Sequence, residues 1–135
     1  MQRVVFDRPP MFAEIDAKFH VAGKPVIFSW GDLIYNPERI TIPPHLLVHE
    51  AMHGWRQRKW GIEQWWRDYI DSPASRLEEE ILAHRAEYAA LLRVNSNRHA
   101  RRGHLKQVAK RLAAPLYGGM ISAVKARKVL REAAV

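Results

Sequence analysis

The chain has 135 residues, 47% of them hydrophobic, a net charge of +8 and no cysteine. This length predicts one compact domain with a real core and leaves no room for a second catalytic domain. The lack of cysteine excludes disulfides, thiolate metal sites and cysteine nucleophiles. Residues 1–10 lack the apolar core of a signal peptide, and no stretch approaches the ~20 apolar residues of a membrane span.

Two short elements are predicted in the first part of the chain. Phe12, Ile15 and Phe19 have helical spacing, which predicts a short amphipathic helix packed on the core. Residues 25–37 contain two β-rich runs around Gly31-Asp32, which is typical of a β-hairpin. A strand of this hairpin that lies beside a cleft can pair with an extended substrate backbone. The alternative is that both strands only cover the core.

The next segment, His49-Glu50-Ala51-Met52-His53, has the pattern H-E-x-x-H within a predicted helix. Residues four apart share a helical face, so His49 and His53 can bind one metal ion while Glu50 activates a water molecule. The pattern is expected about 0.02 times by chance in a chain of this composition, which favours a metal site over coincidence. The alternative is a helix whose His pair is solvated or capped.

The motif helix is predicted to begin at Pro43-Pro44 and to end at Gly61. We expect it to bury an apolar side. The residues assigned to that side are Leu46, Leu47, Ala51 and Met52. His45, one turn before His49, could compete as a ligand, but we expect it outside the site because it lies at the helix start and has no carboxylate partner in the required place.

Tryptophans are dense after the motif. They are Trp55, Trp60, Trp65 and Trp66. Aromatic residues build cores more often than binding sites, so we expect Trp55 and Trp66 to pack the metal-bearing helices together. Residues 62–69 are expected to turn back and bring the next helix alongside.

A catalytic zinc site needs a third protein ligand and an open position. A second helix, predicted after Ser72-Pro73, supplies the candidates from Arg76 to Tyr88. Glu80 is preferred because the small Ala83, three residues later, allows close approach of two helices. The rivals, in order, are Glu79, then Glu87 and His84. The alternative for the Glu-rich run, Glu78 above all, is a solvated acidic face.

H-E-x-x-H with the downstream E-x-x-A of Glu80 to Ala83 resembles the gluzincin arrangement of zinc metallopeptidases. The runs H-E-A-M-H-G-W-R-Q and R-L-E-E-E-I-L-A-H-R-A-E-Y are also similar to small metallopeptidase-like proteins encoded by bacteriophages and prophages. The resemblance covers residues 26–119 and implies an α+β, mostly helical, zincin-like domain with a small β-hairpin or sheet packed on the motif helix. It also implies zinc held by His49, His53 and Glu80, with Glu50 as the general base for hydrolysis of a peptide bond by zinc-activated water.

The chain departs from larger gluzincins at one position. Those proteins often carry Asp directly after the Ala of E-x-x-A, where it orients a metal-binding imidazole. This chain has His84 there, which either donates to a developing oxyanion or is a surface residue. The residue that orients the metal-binding imidazole is therefore unassigned.

Charge is distributed unevenly along the chain. Residues 98–135 hold ten Lys or Arg and one acidic residue, a net charge of +9, whereas residues 1–97 have a net charge of −1. Two basic helices are predicted there, the second from about Ser122. The apolar stripe of the first is Leu105, Val108, Ala109 and Leu112. These helices can bind nucleic acid through its phosphates, or an acidic protein; the alternative is a solvated hairpin that covers the core.

The resulting expectation is a zinc metalloendopeptidase in the cytoplasm, or in the host cytoplasm if phage-encoded. It forms a single domain over 1–135, with a metal-site core at 1–97 and a basic helical extension at 98–135. We expect it to bind a protein or peptide substrate and not to bind a membrane. The alternative is a non-catalytic zinc-containing module whose basic helices bind nucleic acid or an acidic protein. The sequence predicts neither the substrate nor the oligomeric state.

Overall fold

The computed structural model describes residues 2–115 and 118–133, and for Ala133 the backbone alone. The fold is α+β and mostly helical, as predicted. In chain order the elements are β1 (Arg3–Val5), α1 (Phe12–Phe19), β2 (Phe28–Trp30), β3 (Leu33–Tyr35), α2 (Pro44–Trp60), α3 (Ile62–Asp71), α4 (Pro73–Val94), α5 (Arg98–Leu112) and α6 (Ala123–Ala133). Within the described residues, no helix combines the length and apolar composition needed to cross a membrane.

The sheet has three strands in the order β1-β3-β2. Strands β2 and β3 form the predicted antiparallel hairpin, in which Ser29 pairs with Ile34. Gly31 in its turn has a φ of 60°, a left-handed conformation that residues with a side chain rarely adopt. Strand β1 pairs in parallel with β3 and was not predicted, because three residues are too few to show a periodic pattern. Strand β2 lies at the sheet edge, next to α2.

The helix boundaries follow the predicted signals. Helix α2 begins at Pro44, where the missing N–H would have had no intrahelical partner. It ends at Trp60, and the next residue, Gly61, caps it with a φ of 96°. Helix α4 begins at Pro73, and the Ser72 hydroxyl caps it by accepting from Ser75 N at 3.2 Å.

The prediction of an apolar buried side on α2 is wrong. The buried residues are the polar motif and its helical neighbours: His49, Glu50, His53, Gly54 and Gln57. By contrast, Leu47 is 40% exposed, Ala51 is exposed, and Leu46 and Met52 are half-buried. The polar side can be buried because β2 and α4 supply hydrogen-bonding and charged partners to it. Polar burial of this kind is typical of a functional site.

Trp55 is also placed differently from the prediction. It is 52% exposed, whereas Trp66 is buried as expected. Helical spacing explains the difference, because Trp55 lies on the same outer ridge of α2 as Leu47 and Ala51. Trp66 comes from α3 and packs near Phe28 of β2.

Two apolar clusters stabilise the fold. Helix α4 contacts elements of both clusters: α3 of the first, and α5 and α6 of the second. The first cluster joins α1, β2 and α3 through Ile15, Phe28 and Trp66. The second joins the C-terminal half of α4 to α5 and α6, and it contains the predicted stripe of α5. Helix α4 therefore presents its middle to α2 and its end to the basic helices.

Candidate metal centre

Three candidate ligands come together between α2 and α4. His49 and His53 lie one turn apart on the buried side of α2, and Glu80 faces them from α4. His49 Nε2 is 3.3 Å from Glu80 Oε1, and His53 Nε2 is 3.1 Å from Glu80 Oε2. All three side chains are buried, and their ligand atoms lie within 4.8 Å of one another. This group can hold a metal ion.

The separations fit a zinc ion. Ligand atoms bound at about 2.0–2.1 Å in a tetrahedron lie about 3.3 Å apart, close to the two N···O separations. Glu80 Oε1 is buried, and its polar neighbours among the described residues are His49 Nε2 at 3.3 Å and His84 Nδ1 at 3.6 Å. A buried carboxylate oxygen is costly unless a cation or donor compensates it. Two imidazoles and one carboxylate beside a pocket are a typical set for catalytic zinc.

Burial and the neighbouring carboxylates determine the charge of the cluster. Burial disfavours a charged imidazole, but hydrogen bonds with Glu80 and Glu87 outweigh it and raise the pKa of His49 to about 10. Burial also disfavours the Glu80 carboxylate, but attraction to His53 and His49 outweighs it and holds the pKa of Glu80 well below its usual range. Without a metal, a proton on His49 balances the buried carboxylate; a divalent cation can replace that proton.

Glu50 is held at the wall of the same pocket as the ligands. The Ser29 hydroxyl is 2.7 Å from both Glu50 Oε2 and the Glu50 backbone oxygen, and it donates its one proton to either. Gln57 donates to the Ser29 backbone oxygen at 3.0 Å and accepts from Gly31 N at 2.7 Å. These bonds fix β2 against α2 and orient the Glu50 carboxylate. Sequence reasoning missed Ser29 and Gln57 because their partners are distant in the chain.

Some backbone groups on the outer edge of β2 already have hydrogen-bond partners within the protein. The Ser29 backbone oxygen accepts from Trp66 Nε1 at 3.1 Å as well as from Gln57, which uses both of its lone pairs. A substrate backbone therefore has no free acceptor at Ser29. Val26 and Ile27, just before the strand, line the pocket and are the remaining positions for such pairing.

Glu87, seven residues after Glu80 on α4, is the acceptor that sequence reasoning left unassigned. Its Oε1 is 3.0 Å from His49 Nδ1, and its Oε2 is 2.9 Å from His45 Nδ1. Arg111 of α5 also donates to Oε2. A carboxylate on the second ring nitrogen fixes a metal-binding imidazole and raises its basicity. Glu87 thus contacts the back of His49 and lies outside the His49, His53 and Glu80 cluster.

The expectation that His45 has no carboxylate partner is wrong, because it shares Glu87 with His49. The partner was hidden because Glu87 lies two turns beyond Glu80 and approaches α2 only when the helices pack. Burial opposes ionisation of Glu87, but the bond to His49 and the charge of Arg111 outweigh it and lower the pKa of Glu87 to about 2. Arg111 of the basic extension is thus linked to His49 through Glu87.

His84 is completely buried, so the prediction of a surface residue is wrong. Its ring centroid is 4.5 Å from that of His49, and its Nδ1 is 2.6 Å from the Glu80 backbone oxygen. Burial and the charge of His49 lower the pKa of His84 to about 3, so the ring is neutral at pH 7 and donates this bond. His84 is not among the residues that line the pocket. The structure therefore does not place it where an oxyanion would develop.

The rival glutamates have other partners. The two oxygens of Glu79 are 2.7 and 2.9 Å from Arg56 Nε. The Glu78 side chain is 69% exposed, as a solvated acidic face predicts. A second buried group, formed by His49, His84 and Glu87, also has ligand atoms within 4.8 Å of one another. The first group differs from the second because all its members line the pocket together with Glu50.

A cavity of about 70 Å³ adjoins the ligands and Glu50. Its apolar wall includes Ile15, Phe28 and Trp66. Tyr69 also lines it and donates to Glu80 Oε2 at 2.8 Å. Trp66, one of the two tryptophans expected to build core, therefore both packs the core and lines the cavity.

Comparison with known proteins finds no relative: no protein-family model, curated protein or solved structure matches this chain. The gluzincin resemblance therefore remains a prediction. The support for a function comes from the geometry of the site.

Proposed function

We propose that this protein is a zinc-dependent metallopeptidase. The observation that carries the proposal is that His49, His53, Glu80 and Glu50 line one pocket. The first three offer the ligand set of a catalytic zinc, and the fourth is a carboxylate beside them that is not one of the candidate ligands. A purely structural zinc site has four protein ligands and needs neither a pocket nor an adjacent carboxylate.

Zinc, when bound, would act as a Lewis acid that lowers the pKa of a water molecule and polarises the substrate carbonyl. Glu50 takes a proton from the attacking water and delivers it to the amine nitrogen as the peptide C–N bond breaks. Ser29 keeps the Glu50 carboxylate oriented toward the pocket. Tyr69 donates its one hydroxyl proton to Glu80 Oε2 at 2.8 Å and so holds this ligand in place.

The pocket suggests what kind of peptide binds. An apolar wall directly beside the ligands suits an apolar side chain next to the cleaved bond. Val26 and Ile27 line the pocket just before β2. The Val26 N–H donates to the Lys24 backbone oxygen at 2.8 Å, so an extended chain would pair with the Val26 oxygen and with Ile27, a mode of binding with little sequence preference. We therefore propose unfolded or extended polypeptides as the substrate class.

The test is cleavage of a mixed peptide library by the zinc-loaded protein, read by mass spectrometry. Glu50→Gln is expected to retain zinc and lose about 10²–10⁴-fold in cleavage rate, the usual contribution of a general base. Glu78→Gln removes the same charge from an exposed position and should cleave like the wild type. An active Glu50→Gln variant, or no cleavage by the zinc-loaded wild type, would overturn the proposal.

A further inference from the structure

Helix α5 carries a row of exposed cations. They are Arg98, Arg102, Lys106 and Lys110, each four residues after the last. At 1.5 Å per residue this α5 row is about 18 Å long. All four cations are exposed, whereas Val108, Ala109 and Leu112 of the same helix are buried.

Within the described residues, no carboxylate balances the charge of the α5 row. In the part of the chain that the structure describes, no carboxylate lies at ion-pair distance from any of its four members. The same holds for the exposed Lys125, Lys128 and Arg131 of α6. Residues 98–135 contain one acidic residue, Glu132. Uncompensated charge of this density attracts polyanions over long distances.

The surface fits a nucleic acid better than an acidic protein. Protein interfaces are built around apolar and aromatic anchors, but Val124 is the one large hydrophobic residue exposed on the described parts of α5 and α6. Neither helix contains Phe, Tyr or Trp, so neither offers the stacking platform that single-stranded binders use. A duplex carries one charge per about 1.7 Å, so the α5 row can face about ten phosphate charges.

We propose that the α5 row, flanked by the cations of α6, binds the phosphate backbone of duplex nucleic acid without reading its base sequence. Guanidinium and ammonium groups are the usual phosphate donors, and Arg supplies bidentate bonds. The adjacent Arg111 faces Glu87 and is not part of the row. Binding is therefore independent of zinc and of peptide cleavage.

The test is fluorescence anisotropy of a labelled DNA duplex of about 20 base pairs with the full chain, between about 50 and 200 mM KCl. The row variant carries Arg98→Gln, Arg102→Gln and Lys106→Gln. The matched control carries Arg3→Gln, Lys18→Gln and Lys24→Gln, exposed cations of the N-terminal region. Each triple change lowers the net charge from +8 to +5.

The row variant is expected to bind at least about tenfold more weakly at 100 mM KCl, and its slope of log K against log salt should fall by about three. The control should stay within about twofold of the wild type, as should Glu50→Gln. Equal weakening of both triple variants would contradict the proposal, since net charge alone would then explain binding. Tighter binding of single strands or of polyglutamate than of duplex would also overturn it, as would no duplex binding at low salt.

Discussion

Replacement of Glu87 by Gln tests how the metal centre is held. Three donors converge on the two Glu87 oxygens: His49 Nδ1 at 3.0 Å, His45 Nδ1 at 2.9 Å, and Arg111. Glutamine has the same shape but one acceptor oxygen, so its amide group must face a donor. Loss of such an orienting carboxylate typically weakens metal binding by about 10–100-fold, which is about 1.4–2.8 kcal/mol.

The assay is a zinc titration against a competing chromophoric chelator, with the melting temperature in chelator as the measure of folding. Glu79→Gln is the matched control. It also removes a buried carboxylate of α4 and an ion pair, with Arg56, but leaves the ligands untouched. We expect both variants to lose stability and Glu87→Gln alone to lose zinc affinity. A folded Glu87→Gln protein with wild-type affinity would refute the role of Glu87.

Two further predictions concern packing and pH. Gly54→Ala should destabilise the protein by about 1–3 kcal/mol in urea unfolding, because a Cβ at Gly54 would lie 2.4 Å from the Gly31 backbone oxygen. The control, Gly103→Ala, has open space around it and should stabilise the protein by about 0.5–1 kcal/mol. Equal effects of the two changes would contradict the close packing at Gly54. Zinc affinity should rise about tenfold per pH unit from pH 7 to 9. The pKa of His49 in the metal-free protein is raised to about 10, so zinc must displace the proton of His49 in order to bind. A zinc affinity that does not change with pH would mean that His49 is already neutral and would contradict this prediction.

Local signals in the sequence predicted the helices that carry the site and the spacing of two of its ligands. Pro44, Gly61 and Pro73 set the helix ends through backbone constraints that need no tertiary partner. The H-E-x-x-H spacing placed His49 and His53 on one face for the same reason.

What the sequence could not predict depends on packing between elements. Leu47 and Trp55 lie on the outer side of α2, because the polar motif itself is the side that packs on β2 and α4. Apolar patterning assumes that cores are apolar, and a buried polar site reverses that rule. Glu87, Ser29 and Arg111 took their positions from partners more than 20 residues away, and no local pattern encodes such contacts.

The measurement that tests the central claim most directly is the zinc content of the purified protein, compared among the wild type, Glu80→Ala and Glu79→Ala. We predict about one zinc per chain in the wild type and in Glu79→Ala, and loss or marked weakening in Glu80→Ala. No zinc in the wild type after reconstitution, or equal binding by Glu80→Ala, would contradict the metal centre formed by His49, His53 and Glu80.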